Sequence, residues 1–358
     1  MSELSKFFVP GPTWVRPEIL QEMTRPMIGH RTPEFRDLFR RINANLKPLF
    51  DTSGDTFVVT SSGTGVMEAA LDNCVARRVL VATCGAFSER WFHIAQSLGY
   101  EVDRLDVPWG QPIDPEQLAD RLESRRANYD AVTFTHNETS TGVTNDIEAL
   151  AAVVREESPD TLVLVDAVSS LGGIPVHFDA WQLDVCFASV QKGLALPPGI
   201  TVVAVSERAL ERAKKRPFRG TYFDFLLYKS KADEDSVPST PSLPHFYALA
   251  KQLDDIVQVE GLEARFARHR AMRDLTFERT ARYAKIAADR EHASATVSAL
   301  APLKPPDEIR AAMKQRGFTL GGGYGSWKET TFRIGHMGDI TVEALNAMLG
   351  VLDEVAKA

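Results

Sequence analysis

Cysteine is scarce in this chain. Cys74, Cys84 and Cys186 are odd in number and far apart in 358 residues. No CxxC or Cys/His spacing suggests a zinc site, and nothing suggests a disulfide framework. They are expected to be buried packing residues in a reduced compartment, and no metal is expected. The opening stretch, MSELSKFFVP, has no sustained apolar segment of the secretory kind. No apolar run is long enough to span a bilayer, so the expected location is the cytoplasm. An excess of positive charge is also missing: 41 Lys and Arg stand against 48 Asp and Glu, a formal net charge of −7. That balance argues against a general nucleic-acid binder but leaves room for a local basic pocket that takes a small anion. There is no internal repeat and no low-complexity tract. What remains is a composition 44% hydrophobic and 25% charged, that of a soluble globular protein with a large core, at a length that suggests two domains.

The segment Phe7–Pro17 (FFVPGPTWVRP) holds three prolines and a glycine and reads as an irregular arm, with helix near Pro17–Met23. Arg36–Leu49 has Leu38, Phe39, Ile42, Leu46 and Leu49 at helical spacing. Short β-branched strands then alternate with helices. The strands are Thr56–Thr60, Arg78–Ala82, Glu101–Leu105, Ala131–Thr135, Leu162–Val165, Val185–Ser189 and Ile200–Val205. The helices between them are Gly65–Ala76, Glu89–Leu98, Pro115–Arg125 and Ile147–Glu156. This alternation predicts an α/β domain with a mainly parallel seven-stranded sheet flanked by helices. After Glu207 the alternation fades. Lys229–Pro244 reads as an exposed loop, followed by helices over Phe246–Val257 and Gly261–Ala288. A strand at Ala295–Val297, a helix at Pro306–Gln315, a Gly-rich turn at Leu320–Gly325, a strand at Thr330–Ile334 and a helix at Thr341–Ala356 complete a smaller α/β domain. The expected division is an arm over residues 1–20, a large domain over 21–261 and a small one over 262–358.

Ligands of such sheets sit at the carboxyl ends of the strands. Three strand ends carry chemistry. Ser61-Ser62-Gly63-Thr64-Gly65 follows the first strand and opens a helix, where glycines allow close approach of an anion and free N–H groups hold it. A turn serving only chain reversal is the alternative. The loop matches neither Walker A nor GxGxxG, so phosphates simpler than a nucleotide stay open. Asp166 follows the buried strand Leu162–Val165. It needs a cation or donors there, unless it is a helix cap or part of a structural ion pair. Lys192 follows Val185–Ser189 and precedes the apolar, Pro-rich Leu194–Pro198; desolvation would make its amine a usable nucleophile, whereas an ordinary strand-end lysine would carry nothing. A parallel sheet brings all three to one edge. An anion cup, an acid and an amine are what pyridoxal phosphate requires.

Seven stretches, in order, resemble the class V aminotransferases of the fold-type I pyridoxal-phosphate enzymes, with the alanine–glyoxylate and serine–glyoxylate (serine–pyruvate) group nearest. They are PGPT (Pro10–Thr13), GHRTPEF (Gly29–Phe35), SSGTGVMEAAL (Ser61–Leu71), THNETSTG (Thr135–Gly142), VDAVSSLGG (Val165–Gly173), SVQKGL (Ser189–Leu194) and FRIGHMG (Phe332–Gly338). The resemblance implies that Lys192 holds pyridoxal 5′-phosphate as a Schiff base and later moves the substrate proton, while Asp166 pairs with the ring nitrogen. It implies that Ser62, Gly63, Thr64 and Gln191 bind the phosphate. Phe87 and Val168 would cover the two ring faces and Thr139 would bond the phenolic oxygen. Arg333 and the Gly11 backbone would hold the substrate carboxylate. Members are homodimers with shared sites, and Thr240 matches a residue that reaches the partner's phosphate; the aromatic residue often found three positions earlier is Val237 here.

The implied reaction is a ping-pong transfer from alanine or serine to glyoxylate or pyruvate. A phosphoserine aminotransferase is an alternative in which His30, Arg31 and His336 bind a distal phosphate. A cysteine desulfurase is a weaker one, because no cysteine follows Cys186.

Overall fold

The structure, a computed structural model, describes residues 6–125 and 129–357. Its centre is a seven-stranded sheet, and the sequence explains why the strands lie there. Leu162–Asp166, Val185–Ser189 and Thr201–Val205 are buried at every position, since a strand between two helical layers has no wet face. The strand order is Asp55–Val59, Thr201–Val205, Val185–Ser189, Leu162–Asp166, Ala131–Thr135, Arg78–Thr83, Glu101–Asp106. All neighbours are parallel except Thr201–Val205, which runs antiparallel to both of its partners. The mainly parallel seven-stranded sheet is as expected.

Two apolar layers cover it. On one face the helix Pro33–Phe50 presents Leu38, Phe39, Ile42 and Leu46 beside Phe246, Leu249 and Leu253 of the helix Leu243–Asp254. Pro33 occupies the first helical turn, where its missing N–H costs nothing, and Asp51 closes the helix in the left-handed region (φ 52°). On the other face Val66, Met67 and Leu71 of the helix Gly63–Cys74 pack with Trp91 of the helix Ala86–Ser97. Among the described residues no helix is long and apolar enough to cross a membrane.

A five-stranded sheet follows in the C-terminal part, in the order Phe7–Phe8, Thr319–Gly322, Phe332–Gly335, Val297–Pro302, Ala284–Ile286. Here several expectations are corrected. The arm is not wholly irregular: Phe7 and Phe8 pair in parallel with Thr319 and Leu320, and Phe8 is buried. The Gly-rich turn at Leu320–Gly325 begins as strand. A side chain at Gly321 would come within 2.5 Å of Pro10, so glycine lets the arm press against this sheet. The long helix expected to Ala288 stops at Thr280, because Ala284–Ile286 is taken up by antiparallel pairing with Leu300–Pro302. The strand expected at Ala295–Val297 begins at Val297 and runs to Pro302. The exposed loop expected over Lys229–Pro244 starts inside the helix Phe225–Ala232, and Ser236 and Val237 within it are buried. A helix not anticipated, Glu207–Lys214, is capped by the Ser206 hydroxyl, which accepts from Ala209 N–H at 3.1 Å.

One buried cluster ties arm, small sheet and site together. Arg265, on the helix Leu262–Thr280, donates to the carbonyls of Gly172 (2.7 Å) and Gly193 (2.8 Å) and pairs with Asp339. Asp339 also pairs with Arg16 at 2.6 Å. Gly172 lies in the loop that follows Asp166 and Gly193 in the loop that carries Lys192, so the cluster fixes both loops relative to the small sheet.

Candidate active site

Lys192 lies three residues beyond the strand Val185–Ser189 and is buried, with Nζ donating to the carbonyl of Pro10. The arm closes over it. Thr13 N–H bonds the Gln191 carbonyl at 2.9 Å, and Gly11 adopts φ +121°, with the place of a Cβ only 2.4 Å from Lys192 Cε. Only glycine satisfies both the backbone conformation and the contact. Gly11→Ala is therefore expected to destabilise the protein by about 2 kcal/mol and to lower its cofactor content, measured by thermal melting and by cofactor released on denaturation. A variant with wild-type cofactor content would remove Gly11 from the site. Burial, with the nearby Arg333 cation, pulls the Lys192 amine down to about 8, so a neutral amine is available near neutral pH.

Asp166 ends the neighbouring strand and is also buried. One of its carboxylate oxygens accepts the Val168 N–H at 2.7 Å. Burial pushes its pKa up to about 7 against that hydrogen bond, and Glu138 adds to the rise. A buried acid in this state is one that a cation could hold ionised.

Ser62 stands before the helix Gly63–Cys74 and its hydroxyl caps no helix N–H. A Cβ at Gly63 would fall 2.9 Å from Val168 and 3.2 Å from the Ser189 hydroxyl, so the helix opening is a tight cradle. Ser62, Gly63, Thr64, Phe87, Thr139, Asp166, Val168, Gln191 and Lys192 line one cavity of about 150 Å³, joined by Met67, Arg90, Asn137 and Ser169. Phe87 stacks on Tyr324, with centroids 5.5 Å apart and planes at 27°. The Thr139 hydroxyl donates to Ser169 Oγ at 2.7 Å, and Asn137 Nδ2 donates to the same oxygen at 2.8 Å.

Arg333 comes from the small sheet. It is 9% exposed and reaches the carbonyls of Gly322 (2.8 Å, from Nε) and Thr139 (3.0 Å, from Nη1), with its guanidinium 5.4 Å from the Tyr324 ring centre. Among the described residues no carboxylate pairs with it, and burial pulls its pKa down to about 10.

Gly11 and Arg333 do not line the cavity but adjoin it through Lys192 and Thr139, and four residues raised by the sequence lie elsewhere. Thr240 is exposed and outside the cavity of its own chain. His30 is half-buried and Arg31 exposed, and neither lines the cavity. His336 is buried against Ser298 Oγ at 2.9 Å, with burial pulling it down to about 4, so it is neutral.

A buried amine, a buried acid on the adjacent strand, an aromatic ring and an uncapped helix opening around one cavity fit pyridoxal phosphate. Comparison with known proteins agrees. The family model described as "Aminotransferase class-V" matches residues 19–323. The chain belongs to the class V aminotransferases. A serine–glyoxylate aminotransferase of Methylorubrum extorquens is 34% identical, covering 96% of this chain and 89% of its own. A Synechococcus protein named soluble hydrogenase, small subunit, is 37% identical, covering 99% of this chain and 94% of its own. A crystal structure of the Thermus thermophilus aspartate aminotransferase of subgroup IV superposes with a TM-score of 0.91 at 33% identity, covering 99% of each chain.

As a class V aminotransferase, this chain is a pyridoxal-phosphate-dependent transaminase of the fold-type I architecture. Its three cysteines are buried, and burial pushes the Cys84 thiol up to about 12. Among the described residues no group of three or more His, Cys, Asp or Glu is placed to hold a metal ion.

Two of this aminotransferase's site residues escape sequence reasoning for a physical reason. Glu138 is fully buried and accepts the N–H groups of Phe87 (3.1 Å), Ser88 (2.8 Å) and Ser140 (3.1 Å), along with both serine hydroxyls. It thereby fixes the start of the helix that carries Phe87, a role that rests on contacts some fifty residues apart. Tyr324 sits in a glycine-rich stretch that reads as a turn. A signal existed for Arg90, which lies three residues after Phe87 and so shares its helix face.

Proposed function

We propose that this aminotransferase moves the amino group of a small amino acid, alanine or serine, to glyoxylate or pyruvate by a ping-pong mechanism. The observation that carries this reading is the buried Arg333 guanidinium, which has no acid partner among the described residues. Such a cation is costly unless an anion arrives, and a bidentate fork suits an α-carboxylate. The Gly11 backbone completes that seat from the arm. Arg333 sits over Tyr324, and Tyr324 stacks on Phe87, which narrows the space beside the carboxylate and favours short side chains.

Bound pyridoxal phosphate supplies a sink for the electron pair left when the substrate Cα loses its proton. The chain does the rest. Lys192 would take the proton from the substrate Cα and deliver it to C4′ of the cofactor. Asp166 would pair with the ring nitrogen and keep it charged. Ser62, Gly63, Thr64 and Gln191 would hold the phosphate, Phe87 and Val168 would cover the ring, and Thr139 would bond its phenolic oxygen. Thr240, exposed and outside its own cavity, would reach the phosphate of a second copy in a homodimer. Phe218 (86% exposed) and Tyr222 support that interface: Tyr222 bonds the Thr60 carbonyl at 3.0 Å beside the phosphate cup. The phosphoserine alternative has less support, because His336 is fully buried against the Ser298 hydroxyl.

The test is a panel of donor half-reactions followed through the visible spectrum of the bound cofactor. Alanine or serine is expected to convert the spectrum with a rate constant per concentration at least about tenfold above aspartate or phosphoserine, and glyoxylate or pyruvate to restore it. Preference for phosphoserine or aspartate would overturn the assignment.

A further inference from the structure

A phosphate monoester carries close to two negative charges at neutral pH, and a helix opening offers only about half a positive charge in return. The Ser62–Thr64 cup contains hydroxyls and N–H groups but no cation. Among the described residues that line the cavity, Lys192 and Arg90 are the only cations, and Lys192 is committed to the reaction. Arg90 lies one turn beyond Phe87 on the helix Ala86–Ser97 and is half-buried. Its Nη1 donates to Thr64 Oγ1 at 2.9 Å, and its guanidinium lies 4.9 Å from the Phe87 ring centre. Among the described residues no carboxylate forms an ion pair with it, while its neighbour Arg104 is paired with Glu89 and Asp106. The stack on Phe87 and the bond to Thr64 hold the guanidinium at the rim of the cup.

We propose that Arg90 is the charge partner of the cofactor phosphate. The assignment rests on the reading of Ser62–Thr64 as the phosphate seat. It makes Arg90 a binding residue for the phosphate group and not a participant in the proton transfer. Its contribution is therefore specific to ligands that carry the phosphate.

The experiment measures equilibrium binding of pyridoxal phosphate and of pyridoxal to the full-length apoprotein, by tryptophan fluorescence and the visible band, for wild type, Arg90→Gln and Arg90→Lys. Wild type is expected to bind the phosphorylated ligand at least about 100-fold more tightly than pyridoxal. Arg90→Gln should lose about tenfold in affinity for the phosphorylated ligand and nothing for pyridoxal. Arg90→Lys should recover part of the loss as a point charge. Equal losses for both ligands would show that Arg90 only supports Phe87 and would overturn the proposal, as would an unchanged affinity for both. A wild type indifferent to the phosphate would instead remove the phosphate seat itself.

Discussion

Replacing Lys192 by alanine is expected to lower turnover by at least about 10⁴-fold, because the proposed mechanism uses one side chain as both nucleophile and proton carrier. The protein purified with its cofactor should show a visible band that borohydride bleaches, leaving the label on Lys192. The alanine variant should lose the band and the label together. A colourless wild type that gains no band with added cofactor would sink the assignment. The geometry also sets a pH dependence. An ordinary lysine amine stays protonated until well above pH 9, whereas burial and Arg333 bring Lys192 to about 8. The rate at which the apoprotein captures pyridoxal phosphate should rise with pH and level off above about pH 8. A rate that keeps climbing past pH 10 would show an amine unperturbed by its surroundings.

Asp166→Asn carries the second large effect and separates function from stability. An amide cannot form the charge-assisted bond to the ring nitrogen, so turnover should fall by about 100-fold. Stability of the apoprotein should move the other way. The folded pKa, about 7, lies above the ordinary carboxylate value of 3.8, so the folded protein keeps a proton that the unfolded chain releases. The group therefore weakens the fold progressively as pH rises from about 4 to about 7, and the full cost is present above that. At pH 8 the Asn apoprotein should melt at or above wild type, and the difference should vanish toward pH 4. A variant that melts well below wild type at pH 8 would assign Asp166 a structural role. Together the two variants describe a site in which an acid and an amine are each held against their solvent preference until the cofactor joins them.

The two strand ends that carry these residues were legible because the code is local. Uninterrupted runs such as Leu162–Val165 and Val185–Ser189 mark buried strands, and an acid, an amine and an anion cup at the ends of three strands of one sheet point to a common site where each alone would not. The Ser62–Thr64 cup was legible for the same reason, as glycine and hydroxyl residues at a strand-to-helix junction. Harder to read were elements whose conformation depends on a distant partner. Ala284–Ile286 continues a helical pattern, yet it becomes strand because Leu300–Pro302 offers its hydrogen bonds. Phe7–Phe8 sits among prolines and becomes strand because Thr319 and Leu320 run beside it. Tyr324 was hidden in a run of glycines whose purpose is close approach.

The sequence alone therefore determined the layered α/β architecture and placed the amine, the acid and the glycine–hydroxyl turn proposed to seat the phosphate at strand ends, since each follows from periodicity or from residues adjacent in the chain. Only the tertiary structure decided what surrounds them. It set Gly11 against Lys192, hung the start of the Phe87 helix on Glu138, brought Arg333 across from the small sheet to Thr139, and laid Arg90 over the cup. These contacts join residues tens to hundreds of positions apart, and they exist only because buried polar groups must find partners once the two sheets have packed.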